Sequence, residues 1–280
     1  MQAVHRLLRE RLDKVPRSAV WEQINSAFEI GEPRGRDLHF SVEQRQLLRE
    51  QCRSAWGFDP LEGVPQGNRR EVAAEAIDEK IARDRPDDRH VLIKGRLPDP
   101  LQSLASELSL RVPISGLNPD TIVQVVVIEN LDSFDDWYAF RAPPELADAL
   151  VLYRGHGGLA RGTRNLLSVL PESVTVTVFP DWDPAGLLIA LTLPRADALL
   201  VPTLTDALLA KGSPEHFAGQ YREARHLDSA DLGGWQAVWD AMKQARISLK
   251  QQHMLALGAA LRRIPLGDRS KTLQMRDDVE

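Results

Sequence analysis

The stretch that decides the fold is Ile122-Val-Gln-Val-Val-Val-Ile128, which is followed at once by Glu129-Asn130. Six of these seven strand residues are apolar and most are β-branched, which favours a strand buried on both faces. Three further apolar runs follow at residues 150–153, 174–179 and 198–201, with segments of helical character between them. This alternation predicts an α/β fold with a parallel sheet.

Carboxylates follow two of the predicted strands at the point where each strand ends. Glu129 comes after the first strand, and Asp181 and Asp183 come after the third, in the run Pro180-Asp-Trp-Asp-Pro-Ala-Gly186. The carboxyl ends of parallel strands share one edge of a sheet, so we expect the three side chains to lie together. No lysine or arginine stands beside them in sequence, so a divalent cation is the expected neutraliser. Oxygen-only ligands favour Mg²⁺ (or Mn²⁺) over zinc.

The first part of the chain has mainly helical patterns and ends in the turn-forming segment 111–120. We expect a mainly helical module over 1–118, an α/β catalytic domain over 119–265 and a loose tail over 266–280. A winged helix is one candidate for the module. Within it we expect helices over 3–13, 18–29, 42–54 (capped by Ser41), 68–83 and 101–110, a loop over 31–39 and a strand over 90–94. Beyond the fourth sheet strand, we expect residues 214–263 to be helical.

Composition excludes several classes of protein. The 280 residues include 40 acidic and 35 basic side chains, so the chain is not a strongly basic nucleic-acid coat protein. A single cysteine, Cys52, excludes an intramolecular disulfide framework and a cysteine-based zinc site. The charged N-terminus does not resemble a signal peptide, and no apolar run reaches the ~18 residues of a membrane span. We therefore expect a cytoplasmic protein that does not contact membranes.

The two acidic motifs resemble those of the Toprim domain, which carries a Glu on its first strand and an Asp-x-Asp on a later one. The continuation to Asp-x-Asp-Pro-x-Gly at 181–186 resembles the topoisomerase VI A-subunit branch of that family. The run from Glu129 to Phe134 and the loop Arg154-Gly-His-Gly-Gly158 resemble further motifs of the same branch. The resemblance implies a Rossmann-like parallel sheet and a Mg²⁺ ion held by Glu129, Asp181 and Asp183. Glu129 is also a candidate general acid/base.

The tyrosine nucleophile of topoisomerase VI is missing, because the three tyrosines are Tyr138, Tyr153 and Tyr221 and none lies in the first 137 residues. A Toprim site without that tyrosine is most similar to the nuclease subunits of the Wadjet plasmid-defence system (JetD, also called MksG). This resemblance implies a Mg²⁺-dependent DNA endonuclease that hydrolyses phosphodiesters. It also implies an SMC-type motor complex as partner and closed-circular plasmid DNA as substrate.

Several basic residues are candidate DNA contacts: Arg154, His156, Arg161, Arg164, Arg69, Arg70 and Lys250. The arginines are equally explained as a solvated helix surface, and His156 as a turn residue. Each carboxylate alone is explained as a helix cap, Asp183 before Pro184 above all. Two other functions also remain open: a non-catalytic DNA-binding or recruitment subunit, and a primase or nuclease of another Toprim branch.

The charge distribution favours a homodimer on DNA. Residues 121–210 hold 11 acidic and five basic side chains, so this part of the domain repels DNA unless basic groups from elsewhere offset it. Residues 1–120 are nearly balanced, with 19 basic and 20 acidic side chains. Arginines 45, 49, 53, 69 and 70 are candidates to line a groove that a second subunit completes. Cutting both strands with one acidic cluster per chain also favours two-fold symmetry.

Overall fold

The computed structural model describes residues 1–67, 69–77, 86–101 and 104–267. The chain forms two compact units, Met1–Pro86 and Asp87–Glu280. The boundary therefore lies about 30 residues before the expected one at 118, because residues 90–113 supply two strands to the sheet of the second unit. Of the tail expected over 266–280, residues 268–280 lie outside the described part of the chain.

The first unit combines helices with a small antiparallel sheet of strand order β1-β3-β2. In chain order its elements are α1 (Gln2–Arg9), β1 (Lys14–Pro16), α2 (Ala19–Phe28), β2 (Glu32–Arg34), β3 (Asp37–His39), α3 (Val42–Trp56) and α4 (Arg69–Ala73). The three predicted helices α1 to α3 are confirmed. Ser41 caps α3 as expected, and Gln44 completes a capping box with it.

Two predictions for the first unit are wrong. The loop expected over 31–39 is a hairpin, β2 and β3, whose two-residue turn begins at Gly35 with φ of +61°. Glycine accepts this backbone conformation without strain, which is why the chain can reverse there. The helix expected over 68–83 begins at Arg69 and ends at Ala73, and residues 68 and 78–85 lie outside the described residues.

The second unit is built on a seven-stranded mixed sheet of order β10-β9-β8-β6-β7-β4-β5. Its strands are β4 (His90–Gly95), β5 (Leu110–Pro113), β6 (Gln124–Ile128), β7 (Leu150–Tyr153), β8 (Thr175–Phe179), β9 (Ala198–Pro202) and β10 (Leu261–Pro265). The four predicted strands, β6 to β9, pair in parallel as expected. The sheet as a whole is not parallel, because β4, β5 and β10 join its two edges antiparallel.

Nine α-helices are described in this part of the chain, one before β4 and the others between or after the later strands. They are α5 (Pro86–Arg89), α6 (Leu131–Asp135), α7 (Arg161–Val169), α8 (Pro184–Thr192), α9 (Asp206–Leu209), α10 (Pro214–Gly219), α11 (Tyr221–Ser229), α12 (Gln236–Ala245) and α13 (Gln251–Ala256). The helix expected over 101–110 is not found in its described residues, and 110–113 are strand β5. The expected all-helical segment 214–263 ends instead in β10. Both errors concern edge strands, whose sequences lack the long β-branched run of a central strand.

The core of the second unit lies on the central strands. Val125, Val126, Val127 and Ile128 of β6 are fully buried, as expected of a strand covered on both faces. Trp182, between the two aspartates, is 2% exposed and packs in this core, opposite to the carboxylates. The core therefore anchors the strand ends from which the acidic side chains project.

Among the described residues, no helix is long and apolar enough to cross a membrane.

Candidate active site at the ends of the central strands

The pairing of β6 with β8 brings Glu129 beside Asp181. Ile128 and Phe179 are partners in the parallel register, so both chains leave the sheet at the same level. The backbone N–H of Glu129 donates to the carbonyl oxygen of Phe179 at 3.2 Å. The N–H of Asp181 then donates to Oε2 of Glu129, also at 3.2 Å. The predicted proximity of these two carboxylates therefore follows from the sheet register itself.

Asp183 caps helix α8 and is almost completely buried. Its Oδ1 accepts from the N–H of Gly186 at 2.8 Å, and Pro184 occupies the first helical turn. Its Oδ2 accepts from Nε2 of Gln220 at 3.0 Å. A Cβ at position 186 would clash with the carbonyl oxygen of Asp181, so the glycine lets the two halves of the motif approach. The helix-cap interpretation of Asp183 is thus correct, and the cap itself uses only Oδ1.

A lysine from a distant part of the chain contacts both aspartates and offsets part of their negative charge. Trp182 and Leu249 exchange backbone hydrogen bonds of 2.9 and 3.1 Å, which bring the next residue, Lys250, to the cluster. Its Nζ lies 2.9 Å from Oδ2 of Asp181 and 3.2 Å from Oδ2 of Asp183. The sequence neighbours of these aspartates supply no positive charge, but folding brings one from 67 residues along the chain.

Gln251 fixes this arrangement, and no pattern in the sequence indicated it. Its backbone N–H donates to Oδ1 of Asp181 at 2.8 Å, and its Nε2 donates to the carbonyl oxygen of Phe179 at 2.8 Å. Its Oε1 accepts from the N–H of Asn130 at 3.3 Å. The side chain is fully buried and joins the ends of β6 and β8 to the start of α13. Gln220, which donates to Asp183, escaped sequence reasoning in the same way.

The loop after β7 supplies two of the predicted basic residues. Arg154 and His156, with Glu129 and Asp181, line an open pocket of about 260 Å³. The guanidinium of Arg154 lies 3.8 Å from Oε1 of Glu129, and its buried Nε has no hydrogen-bond partner among the described residues. Gly155 has φ of +121° and lies so close to Ala160 that a side chain would not fit. This tight turn directs Arg154 inward and leaves His156 exposed.

Burial determines how the carboxylates of the cluster hold protons. Burial, together with the neighbouring charge of Asp181, raises the pKa of Glu129 above its ordinary value. Burial also raises the pKa of Asp181, although the ammonium of Lys250 opposes the effect. Burial alone would lower the pKa of Lys250, but the negative charges of the two aspartates have the larger effect and raise it. Glu129 is therefore suited to hold or release a proton near the pocket.

The donor set fits a hard cation, but its oxygens are already engaged. All three candidate ligands are carboxylates, as Mg²⁺ prefers, and a cation, the Lys250 ammonium, lies between two of them. Within the described residues, no group of three acidic, histidine or cysteine side chains is arranged closely enough to enclose a metal ion. Asp181 and Asp183 can thus share a cation. Glu129 lies next to them, but its carboxylate does not contact the cation that the two aspartates share.

The other basic candidates of the second unit, Arg161 and Arg164, have no contact with the acidic side chains of the cluster. Arg161 is exposed and pairs with Asp88 at 3.1 Å, whereas Arg164 lines a separate pocket together with Arg154. Arg69 and Arg70 belong to the first unit, at the start of α4. Among the arginines expected to line a groove, Arg45 donates to two backbone carbonyls and Arg49 pairs with Asp59. Those two side chains therefore stabilise their own unit.

Comparison with protein-family models finds a match for most of the second unit. A family model described as a domain of unknown function (DUF7281) matches residues 84–263, which is more than half of the chain. The matched range begins near the start of the second unit and ends inside β10, so it contains the whole acidic cluster. No curated protein matches the chain.

Proposed function

The chain belongs to the DUF7281 family, and we propose that it is a Mg²⁺-dependent DNA endonuclease with a Toprim-type active site. One observation carries the proposal. Two adjacent parallel strands, β6 and β8, end in three carboxylates, and two of these already share a cation. Such a cluster is costly to bury without a function that needs a concentrated negative charge. The order Glu, then Asp-x-Asp-Pro-x-Gly, supports the Toprim assignment.

The chain's own residues have separate roles in this proposal. Asp181 and Asp183 would hold the metal ion through their Oδ2 atoms. Glu129 would be a third ligand of this ion, or would exchange a proton with the reacting oxygens. Arg154 and His156, which line the same pocket as Glu129 and Asp181, would bind the phosphate. Bound Mg²⁺ would supply charge that stabilises the phosphate and acidifies a water molecule. The pocket is open to solvent, which suits a polymer substrate.

The first unit supports a DNA-binding role beside the catalytic one. The order α1-β1-α2-β2-β3-α3, with a hairpin whose tip reads Arg34-Gly-Arg36, is compatible with a winged-helix-like module. We propose that this unit contacts duplex DNA and that two copies of the chain act together. The SMC-type motor and the circular plasmid substrate rest on the Wadjet resemblance alone. Adjacent genes for an SMC ATPase and two winged-helix proteins would support that part, and their absence would favour a stand-alone nuclease.

The test of the proposal is plasmid cleavage by Asp181→Asn and Asp183→Asn variants. Asparagine is chosen because it can still cap α8, whereas alanine at 183 would also cost about 1 kcal/mol of helix capping. Supercoiled, relaxed and linear DNA are incubated with Mg²⁺ or Mn²⁺, and we expect cleavage to fall on the order of 100-fold or more in both variants. Asp240→Asn, on the exposed surface of α12, is the matched control. Wild-type rates in either cluster variant would exclude metal-dependent catalysis at this site.

A second function is favoured by one observation, the ion pairs that the Lys250 ammonium makes with both Asp181 and Asp183. A cluster balanced in this way can serve as a structural element of a non-catalytic DNA-binding or recruitment subunit. Calorimetry separates the two functions. A nuclease should bind Mn²⁺, and binding should disappear in the Asp181→Ala/Asp183→Ala double variant. Retained DNA binding with no metal binding by the wild type would favour the recruitment subunit.

A further inference from the structure

We infer that Lys250 is the resident cation of the Asp181–Asp183 pair, and that a divalent metal ion binds there only by displacing its ammonium group. Lys250 would then set the metal affinity of the site. The inference rests on the proposed function, because it assumes that a metal ion binds to these two carboxylates. It goes beyond that function by naming Lys250 as the residue that controls when a metal ion can bind at the site.

The contacts of the two aspartates indicate where a shared cation would bind. Oδ1 of Asp181 accepts from the backbone N–H of Gln251, and Oδ1 of Asp183 accepts from that of Gly186. The two Oδ2 atoms face a common point, although that of Asp183 also accepts from Nε2 of Gln220 at 3.0 Å, and a metal ion shared by both side chains would use them. The ammonium of Lys250 contacts both of these atoms, at 2.9 and 3.2 Å. Two cations at this distance from one oxygen pair would repel each other strongly, so their binding is mutually exclusive.

The lysine side chain can leave without disturbing the backbone. Its side chain is 38% exposed, so a path to solvent is open. The backbone on either side is held independently, by the Leu249–Trp182 hydrogen bonds and by the fully buried Gln251. The exchange is therefore a rotation of one flexible side chain on a fixed frame. The acidic cluster stays ordered in both states, since one positive group replaces another.

The experiment is Mn²⁺ titration of the full chain by calorimetry, comparing wild type with Lys250→Met. Methionine keeps much of the side-chain volume and removes the charge. We expect Lys250→Met to bind Mn²⁺ at least about tenfold more tightly, within the usual range of coupling between competing ligands. Lys250→Arg keeps the competing charge, so its affinity should stay near that of wild type.

Lys243 provides a matched control within the same chain. It is 43% exposed and also contacts two carboxylates, Asp228 at 3.6 Å and Asp240 at 3.2 Å, but it lies outside the cluster. Lys243→Met should therefore leave the Mn²⁺ affinity unchanged. An equal increase in both methionine variants would mean that net charge alone sets the affinity, and it would overturn the inference.

A second measurement uses the wild type and does not depend on the folding of a variant. Saturation with Mn²⁺ should free the Lys250 amine, so its acetylation by acetic anhydride, followed by mass spectrometry, should accelerate relative to Lys243. Unchanged acetylation in a protein that binds Mn²⁺ would overturn the inference, as would equal or weaker Mn²⁺ binding by folded Lys250→Met. If neither wild type nor Lys250→Met binds Mn²⁺, the proposed function fails and the inference fails with it. The two failures are therefore distinguishable.

Discussion

At the scale of single residues, the buried carboxylate of Glu129 lowers the free energy of unfolding by an amount that depends on pH. Its pKa is raised in the folded chain by burial and by the charge of Asp181. This carboxyl group has a higher pKa in the folded chain than in the unfolded chain, where it is about 4.3. Its contribution to stability is therefore present below the unfolded pKa and is lost as the pH rises through the folded pKa. The ionised side chain therefore destabilises the metal-free protein at pH 7.

We predict that Glu129→Gln stabilises the metal-free protein at pH 7. Glutamine can still accept the hydrogen bond from the N–H of Asp181 but carries no charge. In EDTA, we expect the melting temperature to rise by roughly 2–4 °C, the shift that about 1 kcal/mol causes in a chain of this size. The gain should shrink as the pH falls towards 4, where the wild-type side chain is protonated.

Thermal unfolding at several pH values tests this prediction. Glu172→Gln, at an exposed position before β8, is the control and should change the melting temperature little at any pH. A Glu129→Gln variant that melts below wild type at pH 7 would mean that the attraction between Glu129 and Arg154 outweighs the cost of burial.

At the scale of elements, the start of α8 depends on close contact with the end of β8. Gly186 lies in the first turn of α8, and a Cβ there would meet the backbone of Asp181 and the ring of Pro180. We predict that Gly186→Ala destabilises the protein by about 1–3 kcal/mol, the usual cost of overpacking a rigid site. It should also weaken Mn²⁺ binding, because it moves Asp181 away from Asp183.

Gly219 is the matched control for this substitution. It is the last residue of α10 and has open space around its Cα, so alanine fits there without a clash. Gly219→Ala should leave stability unchanged or raise it by less than about 1 kcal/mol. Urea unfolding measures both variants. Equal stability of the two would show that the β8–α8 junction is more adaptable than its geometry indicates.

At the scale of the whole molecule, the boundary between the units decides which fragment folds. A fragment of residues 86–280 contains all seven strands of the large sheet, whereas 119–280 lacks β4 and β5. We predict that the first fragment unfolds cooperatively and stays soluble. The second should aggregate, because the loss of β4 leaves the edge of β7 unpaired. Circular dichroism and size-exclusion chromatography test this, and equal behaviour of the fragments would contradict it.

The assembly is the other prediction at this scale. Residues 121–210 carry more than twice as many acidic as basic side chains, so this part of the second unit should by itself repel DNA. We predict a homodimer, in which each acidic cluster faces one strand of the duplex. Scattering-derived mass at micromolar concentration, with and without duplex DNA, measures it. A strict monomer that makes double-strand breaks would contradict the dimer, and a monomer that only nicks would leave the metal chemistry intact.

The sequence by itself determined the features that depend on neighbouring residues. The β-branched runs identified the four parallel strands, and the carboxylates directly after them identified Glu129, Asp181 and Asp183 as one cluster. Ser41 marked the start of α3 because a helix cap is a local hydrogen bond. In each case the physical cause lies within a few residues of the pattern.

Only the tertiary structure decided which distant groups complete these patterns. The edge strands β5 and β10 have no strong pattern of their own and become strands because a neighbour offers them hydrogen bonds. Lys250, a candidate DNA contact from the sequence, forms ion pairs with Asp181 and Asp183, and Gln251 joins β6 to β8. These contacts span 67 to 121 residues of chain. No local pattern encodes them, because they exist only once the sheet has brought both ends together.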